Sequence, residues 1–272
     1  MQTDPIGYGD GMNMYAYCGN NAVGRTDPSG LATWYGFLNL GQQVKVGDEW
    51  TDANKLRFAQ IEDGQIKWVE SFNSLEEWYN WIKVNDDFDE DWKKEQIGYK
   101  LSQTLDNSEK DKDGNFVWDQ NKYTKDWFFW KLQLVSWIGG LGGLIQQIEA
   151  EMGTINETTG QERTVTIKLN SVCRPEYGGS PNGYRGGTTD NFHIDWSPTH
   201  QGQGTDIPAF PSLAGFAHEL SHAGYWASHT TFVDNQLLAI VAENNVRVGY
   251  NNKVPGSNIG IRPWWHLAAL PK

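Results

Sequence analysis

His218, Glu219 and His222 are the residues whose types and spacing most directly permit chemistry; the run His218-Glu219-Leu220-Ser221-His222 matches HExxH. On a helix, residues four apart share a face, so both imidazoles can meet one metal ion. Glu219 sits about 100° round the helix from His218 and can lean over the open side of that metal. There it can take a proton from a metal-bound water. The pattern predicts one zinc ion per chain, with His218 and His222 as ligands and Glu219 as general base. A catalytic zinc uses three protein ligands plus water, so one more ligand is needed. Glu243, twenty-one residues after His222, is the candidate, with Asp234 and His229 as rivals. Arg247, one turn beyond Glu243, can orient its carboxylate from behind. Tyr225, Tyr250 and His266 are candidates to stabilise an oxyanion, and the sequence does not choose among them.

These residues need two helices and a sheet to position them. Ser212 is a plausible N-cap, and Leu213, Phe216, Ala217, Leu220 and Ala223 follow at helical spacing. That helix should stop near Gly224 or Ser228. A second helix is expected from Asp234 through Leu237, Leu238 and Val241 to about Val248, with Glu243 in its middle. Ala239, one turn before Glu243, would let the two helices approach closely. Ahead of them, Thr164 to Asn170 alternates apolar and polar residues, as do Phe192, Ile194 and Trp196 around His193 and Asp195. Two strands are expected, the second being the candidate to pair with an extended substrate. The Gly- and Pro-dense stretch from Pro175 to Asp190 reads as a long loop. His193 and His200 read as surface or loop histidines. The expected fold class is α+β, with a small sheet before the HExxH helix and a ligand helix after it.

Residues 32–150 carry no catalytic signature. Leu56–Glu62 and Gln65–Glu70 flank Asp63-Gly64 and read as a hairpin; Ser74 followed by Glu77 opens a helix with Trp78, Tyr79 and Ile82 on its face. Asp111-Lys112-Asp113-Gly114-Asn115 has the look of a calcium loop. With Gly114 at the sixth position, however, Glu109 and Gln120 fall where Asp and a bidentate Glu belong, so it reads as a turn. The aromatic run Trp127 to Trp137 should enter a core, and Gly139-Gly140-Leu141-Gly142-Gly143 should interrupt its helix before Ile145 and Ile148 resume it.

The bulk properties narrow the partners. A formal net charge of −12 argues against nucleic acid as the main partner. No apolar run approaches the ~20 residues that span a bilayer, and no basic stretch followed by an apolar one marks a classical signal peptide. Cys18 and Cys173, the two cysteines, imply neither a disulfide framework nor a thiolate zinc site.

Residues 1–31 differ in composition from the rest: turns of Gly, Asn and Asp surround one short aromatic stretch. Asp4-Pro5-Ile6-Gly7, then Asn13 to Asn21, then Asp27-Pro28-Ser29-Gly30-Leu31 resemble the end of the core of Rhs/YD-repeat proteins. There a DPxG…NxYxYxxN…DPxGL pattern precedes a variable C-terminal toxin. Ala22 departs from it, where that family usually has Pro. The resemblance implies a core shell, self-cleavage at Leu31–Ala32 and a role for Asp4 and Asp27 in it. By local chemistry alone, both aspartates are turn residues. It also implies delivery into a target cell and a cognate immunity protein. A second resemblance covers roughly residues 165–255. Leu213 to Ala223, with HELSHA, and Ala242-Glu243-Asn244-Asn245-Val246-Arg247 are similar to the NleD-type effector metallopeptidases. These carry an LxHELxHA-like helix and a downstream ENxxR-like helix. That likeness implies a zincin-like fold, the gluzincin ligand set His218, His222 and Glu243, and a protein substrate in the target cell.

The expected organisation is therefore residues 1–31 as the end of an Rhs core, 32–150 as a helical and mixed segment, and 151–272 as the catalytic region. Two rival functions stand beside a zinc endopeptidase. One is a zinc hydrolase of a non-peptide substrate, since a metal activates water for any electrophile. The other is a binding or structural cap of the Rhs shell, using the aromatic surface that fourteen tryptophans permit.

Overall fold

The computed structural model describes residues 34–37, 44–46, 49–51, 56–62, 65–72, 75–84, 90–177, 180–185, 190–200, 211–224, 232–253 and 258–262. Residues 1–96 with 252–257 form one unit, and residues 97–251 with 258–272 form the other. The boundary expected at 150/151 lies inside the second unit. Asp4 and Asp27, the aspartates of the two DPxG motifs, and the junction residue Leu31 lie outside the described residues.

In the first unit, β1 (Trp34–Phe37), β4 (Leu56–Glu62) and β5 (Gln65–Phe72) form an antiparallel sheet in the order β1-β4-β5. β2 (Val44–Val46) and β3 (Glu49–Thr51) pair separately. The hairpin expected around Asp63-Gly64 is the β4–β5 pair. Helix α1 (Leu75–Lys83) buries Trp78 and Ile82, as its spacing predicts, and α2 (Glu90–Lys94) is a short polar helix.

The second unit holds α3 (Tyr99–Ser102), β6 (Leu105–Asp106), α4 (Lys125–Gly139), α5 (Gly142–Glu151), β7 (Thr164–Leu169), β8 (Gly183–Arg185), β9 (Asn191–Trp196), α6 (Ser212–Ala223) and α7 (Phe232–Lys253). Its four-stranded sheet has the order β6-β7-β9-β8. β6 and β9 both run parallel to β7, while β8 runs antiparallel to β9. A parallel pair needs a long crossover, and α4 with α5 supplies it between β6 and β7. The fold is mixed α+β.

Alternation fixes which way the strands face. Val165, Ile167 and Leu169 of β7 are buried, as are Phe192, Ile194 and Trp196 of β9. Thr124 caps α4 by accepting a hydrogen bond from Trp127 N at 3.0 Å, which sets the aromatic run into the core. Trp127 stacks on Trp196 at 5.6 Å between centroids, and Phe128 meets Phe216 edge-on at 5.4 Å. Trp196 lies 4.9 Å from Phe216. This cluster joins α4, β9 and α6, so the segment before residue 150 is part of the floor beneath the HExxH helix.

The glycines after α4 end the helix as expected: Gly140 takes a left-handed conformation, φ 66°. The tightest approach at a glycine among the described residues lies elsewhere. A Cβ on Gly249 of α7 would stand 1.9 Å from the carbonyl oxygen of Ile138 in α4. Backbone lies against backbone there, and no rotamer change relieves a clash with a carbonyl. Gly249→Ala should therefore lower unfolding stability by at least the ~1–3 kcal/mol typical of overpacking, measured by urea denaturation. An unchanged midpoint would contradict this helix crossing.

Candidate metal centre

Helix α6 starts one residue earlier than expected, at the residue read as its cap. Pro211 is the N-cap and Ser212 the first helical residue, with Ala214 N bonded to Pro211 O at 2.8 Å. The Trp196 indole donates to the Ser212 carbonyl at 3.0 Å, tying the helix start to β9. Leu213, Phe216, Ala217, Leu220 and Ala223 are buried, which turns the His218–His222 stripe away from that aromatic floor. Gly224 ends the helix.

Donor atoms of His218, Glu219 and His222 lie within 4.8 Å of one another. The two imidazole rings stand 5.2 Å apart at 76°. Each ring is held by its Nδ1. His218 Nδ1 bonds to Glu243 Oε2 at 3.0 Å, and His222 Nδ1 bonds to Asn235 Oδ1. With Nδ1–H donating to an oxygen, Nε2 of each ring is the nitrogen left for a metal. The Tyr184 ring of β8 lies on His222, 3.9 Å between centroids and 25° between planes, and also stacks on Phe192.

The electrostatics separate the titratable groups by role. Burial pushes the Glu219 carboxyl up to about 7; the charges of Glu243 and Asp195 add to this, and His218 and Arg262 oppose it. Burial likewise pushes His222 down to about 3, with His218 contributing and the Asn235 bond opposing. A neutral imidazole is the form that binds metal. For Glu243, burial works to raise the pKa, but the hydrogen bond and charge of His218 and the guanidiniums of Arg262 and Arg247 outweigh it. The carboxyl is held at about 2.

Glu243, expected as third ligand, stands outside the three-residue donor group. Its Oε1 accepts from Arg247 Nε at 3.0 Å and Arg247 Nη2 at 2.5 Å; its Oε2 accepts from Arg262 Nη1 at 2.8 Å as well as from His218. Arg247 is where expected, one turn along α7 and fully buried. A C-terminal strap completes this arrangement. Asn244 exchanges two hydrogen bonds with the backbone of Arg262, Asn251 does the same with Ile259, and Arg247 Nη1 donates to Gly260 O at 2.8 Å. The Glu243-Asn244-Asn245-Val246-Arg247 run thus ties residues 258–262 along the helix and brings Arg262 to Glu243.

Compared with known proteins, the chain matches no family model, no curated protein and no solved structure. The donor set therefore carries the chemistry on its own. Two imidazoles beside a carboxylate can bind a divalent metal, and the pinned rings fit that use.

The other expected residues fall as follows. Tyr225, His229 and His266 lie outside the described residues. Asp234 falls in the first turn of α7, two residues inside the helix rather than at its cap. Tyr250 is buried two turns beyond Glu243, about 10 Å along the axis, and burial raises its phenol. His193 lies on the β9 face opposite Phe192 and Ile194. The strand expected to receive substrate, β9, is interior, paired on one side by β7 and on the other by β8. Among the described residues, the sheet edge beside the site belongs to β8, within the stretch expected to be a loop. Asp111 organises a turn, its Oδ1 accepting from Asp113 N and Asn115 N at 2.9 Å. No described helix is long and apolar enough to cross a membrane.

Asn235, Arg262 and Tyr184 were not anticipated. Asn235 had a signal: Asn235, Ala239 and Glu243 recur every four residues and so share one face of α7. Arg262 and Tyr184 had none, because each reaches the site through a non-local contact.

Proposed function

We propose that this chain is a toxin of the zinc metalloendopeptidase class, with a zincin-like catalytic unit, that cuts a protein inside a target cell. The observation that carries the reading is the pair of HExxH imidazoles, each pinned at Nδ1, with Glu219 alongside. His218 and His222 would hold zinc through Nε2. A bound zinc supplies an acidified water and a polarised carbonyl. Glu219, with a pKa near neutrality, suits proton transfer: it accepts the water's proton and passes it to the leaving amine. Tyr184 shields one face of His222. The neighbouring β8 edge offers backbone groups to an extended chain, which favours a peptide over other hydrolysable substrates. The Rhs-like first thirty-one residues support delivery into another cell from a core shell, with a cognate immunity protein neutralising the toxin in the producer.

Two measurements test this. Mass spectrometry of chelator-washed protein should find about one zinc per chain, lost in His218→Ala and in His222→Ala. Incubation with a target-cell extract should create new protein N-termini. A folded chain that takes up no zinc would end the enzyme reading and leave a binding module. Zinc without new N-termini would move the reading to a non-peptide substrate.

A further inference from the structure

Two residues of α7 meet the two imidazoles of α6, and they meet them at the same atom. Asn235 reaches His222 Nδ1 and Glu243 reaches His218 Nδ1. His222 follows His218 by one turn, whereas Asn235 precedes Glu243 by two, so the helices pass in opposite directions. Both partners face α6 from one stripe of α7, and the residue midway along it, Ala239, has no donor atom. A side chain that coordinated the same metal would have to stand on the Nε2 side of the rings. Glu243 is instead held on the Nδ1 side by three cationic or N–H partners: His218, Arg247 and Arg262. Moving it to a metal would break a buried pair with Arg247, whose side chain is itself fully buried.

Resting on the zinc reading above, we propose that Glu243 is a positioning residue rather than a zinc ligand, which leaves His218 and His222 as the imidazole ligands that the described residues supply and the third ligand position unassigned. Together with Asn235 it fixes both imidazoles as Nε2 ligands, and the C-terminal strap holds it there through Arg262. Asn235 and Glu243 then play one role on two rings: a neutral acceptor for the deeply buried His222 and an ionised one for His218. Arg262 is the adjustable part, because it comes from the strap and is partly exposed, while Arg247 is fixed inside the helix face.

The test uses the full chain with 15N-labelled histidine, loaded with zinc and read by long-range 1H–15N NMR. The expected spectrum shows His218 and His222 protonated at Nδ1, with Nε2 shifted by the metal. Zinc affinity, read by competition with a chromophoric chelator, should fall about 10- to 100-fold in Glu243→Gln and to a similar degree in Asn235→Ala, as loss of an outer partner does. Metal at Nδ1 of His218, or a loss in Glu243→Gln far above 100-fold while Asn235→Ala stays mild, would overturn the proposal and restore Glu243 as a ligand. The NMR readout needs no variant, so a Glu243→Gln chain that fails to fold leaves the question decidable. Failure of the parent chain to bind zinc would instead bring down the enzyme reading, and this proposal with it.

Discussion

Glu219→Gln should keep its zinc and lose peptide cleavage by about 100- to 10,000-fold, the range general-base removal produces. The amide has nearly the volume of the carboxyl, so α6 should repack around it without strain. His218 and His222 keep their Nδ1 partners on α7, so the two imidazole ligands are untouched. What disappears is the proton acceptor. In the parent, burial places that acceptor at about 7, where it is partly ionised at neutral pH and still basic enough to take a proton from an acidified water. The measurement is turnover of a cleaved peptide beside metal content in the same preparation. Undiminished turnover would remove Glu219 from the mechanism. Zinc lost together with activity would reassign it as a ligand, which its place among the three clustered donors makes a real alternative outcome.

The parts of this site that were readable from sequence are the parts set by short-range periodicity. HExxH specifies its own geometry because a helix repeats every 3.6 residues, and the apolar residues around it fix which face turns inward. The strands β7 and β9 showed themselves by alternation, and α7 by an apolar stripe that carried Glu243 to the right neighbour. Periodicity does not say which edge of an imidazole a carboxylate meets. That depended on Arg262, forty-four residues after His218 and brought in by a strap with no repeating pattern. β8 was hidden for a related reason. Its three residues sit between Gly- and Pro-rich runs, too short to alternate visibly, and they are a strand only because β9 pairs with them. The role of α4 was equally non-local: its aromatics read as core, but which strand and helix they would meet, Trp196 and Phe216, is a matter of topology.

Arg247→Ala should destabilise the chain by about 3–5 kcal/mol at neutral pH, the range for removing one member of a buried ion pair. Arg247 is fully buried and Glu243 nearly so, and the loss also leaves the Gly260 carbonyl without its guanidinium partner. Part of the effect is packing and part is charge, and acid separates them. Glu243 is held at about 2 in the fold against an ordinary value of 4.5. That difference of 2.5 units, at 1.36 kcal/mol each, corresponds to about 3 kcal/mol of stability. A depressed carboxyl contributes fully above its unfolded pKa and loses its contribution as pH falls through the folded one. The stabilisation should therefore be complete above about pH 4.5 and drain away toward pH 2. Without Arg247 the Glu243 pKa rises by part of that difference, since His218 and Arg262 also hold it down, so the variant has less to lose in acid. Urea denaturation of chelator-treated protein at pH 7, 4 and 3 should show the gap between parent and variant narrowing as pH drops. A gap of constant size would mean that Arg247 stabilises α7 by filling space, with Glu243 held ionised by Arg262 and His218 alone.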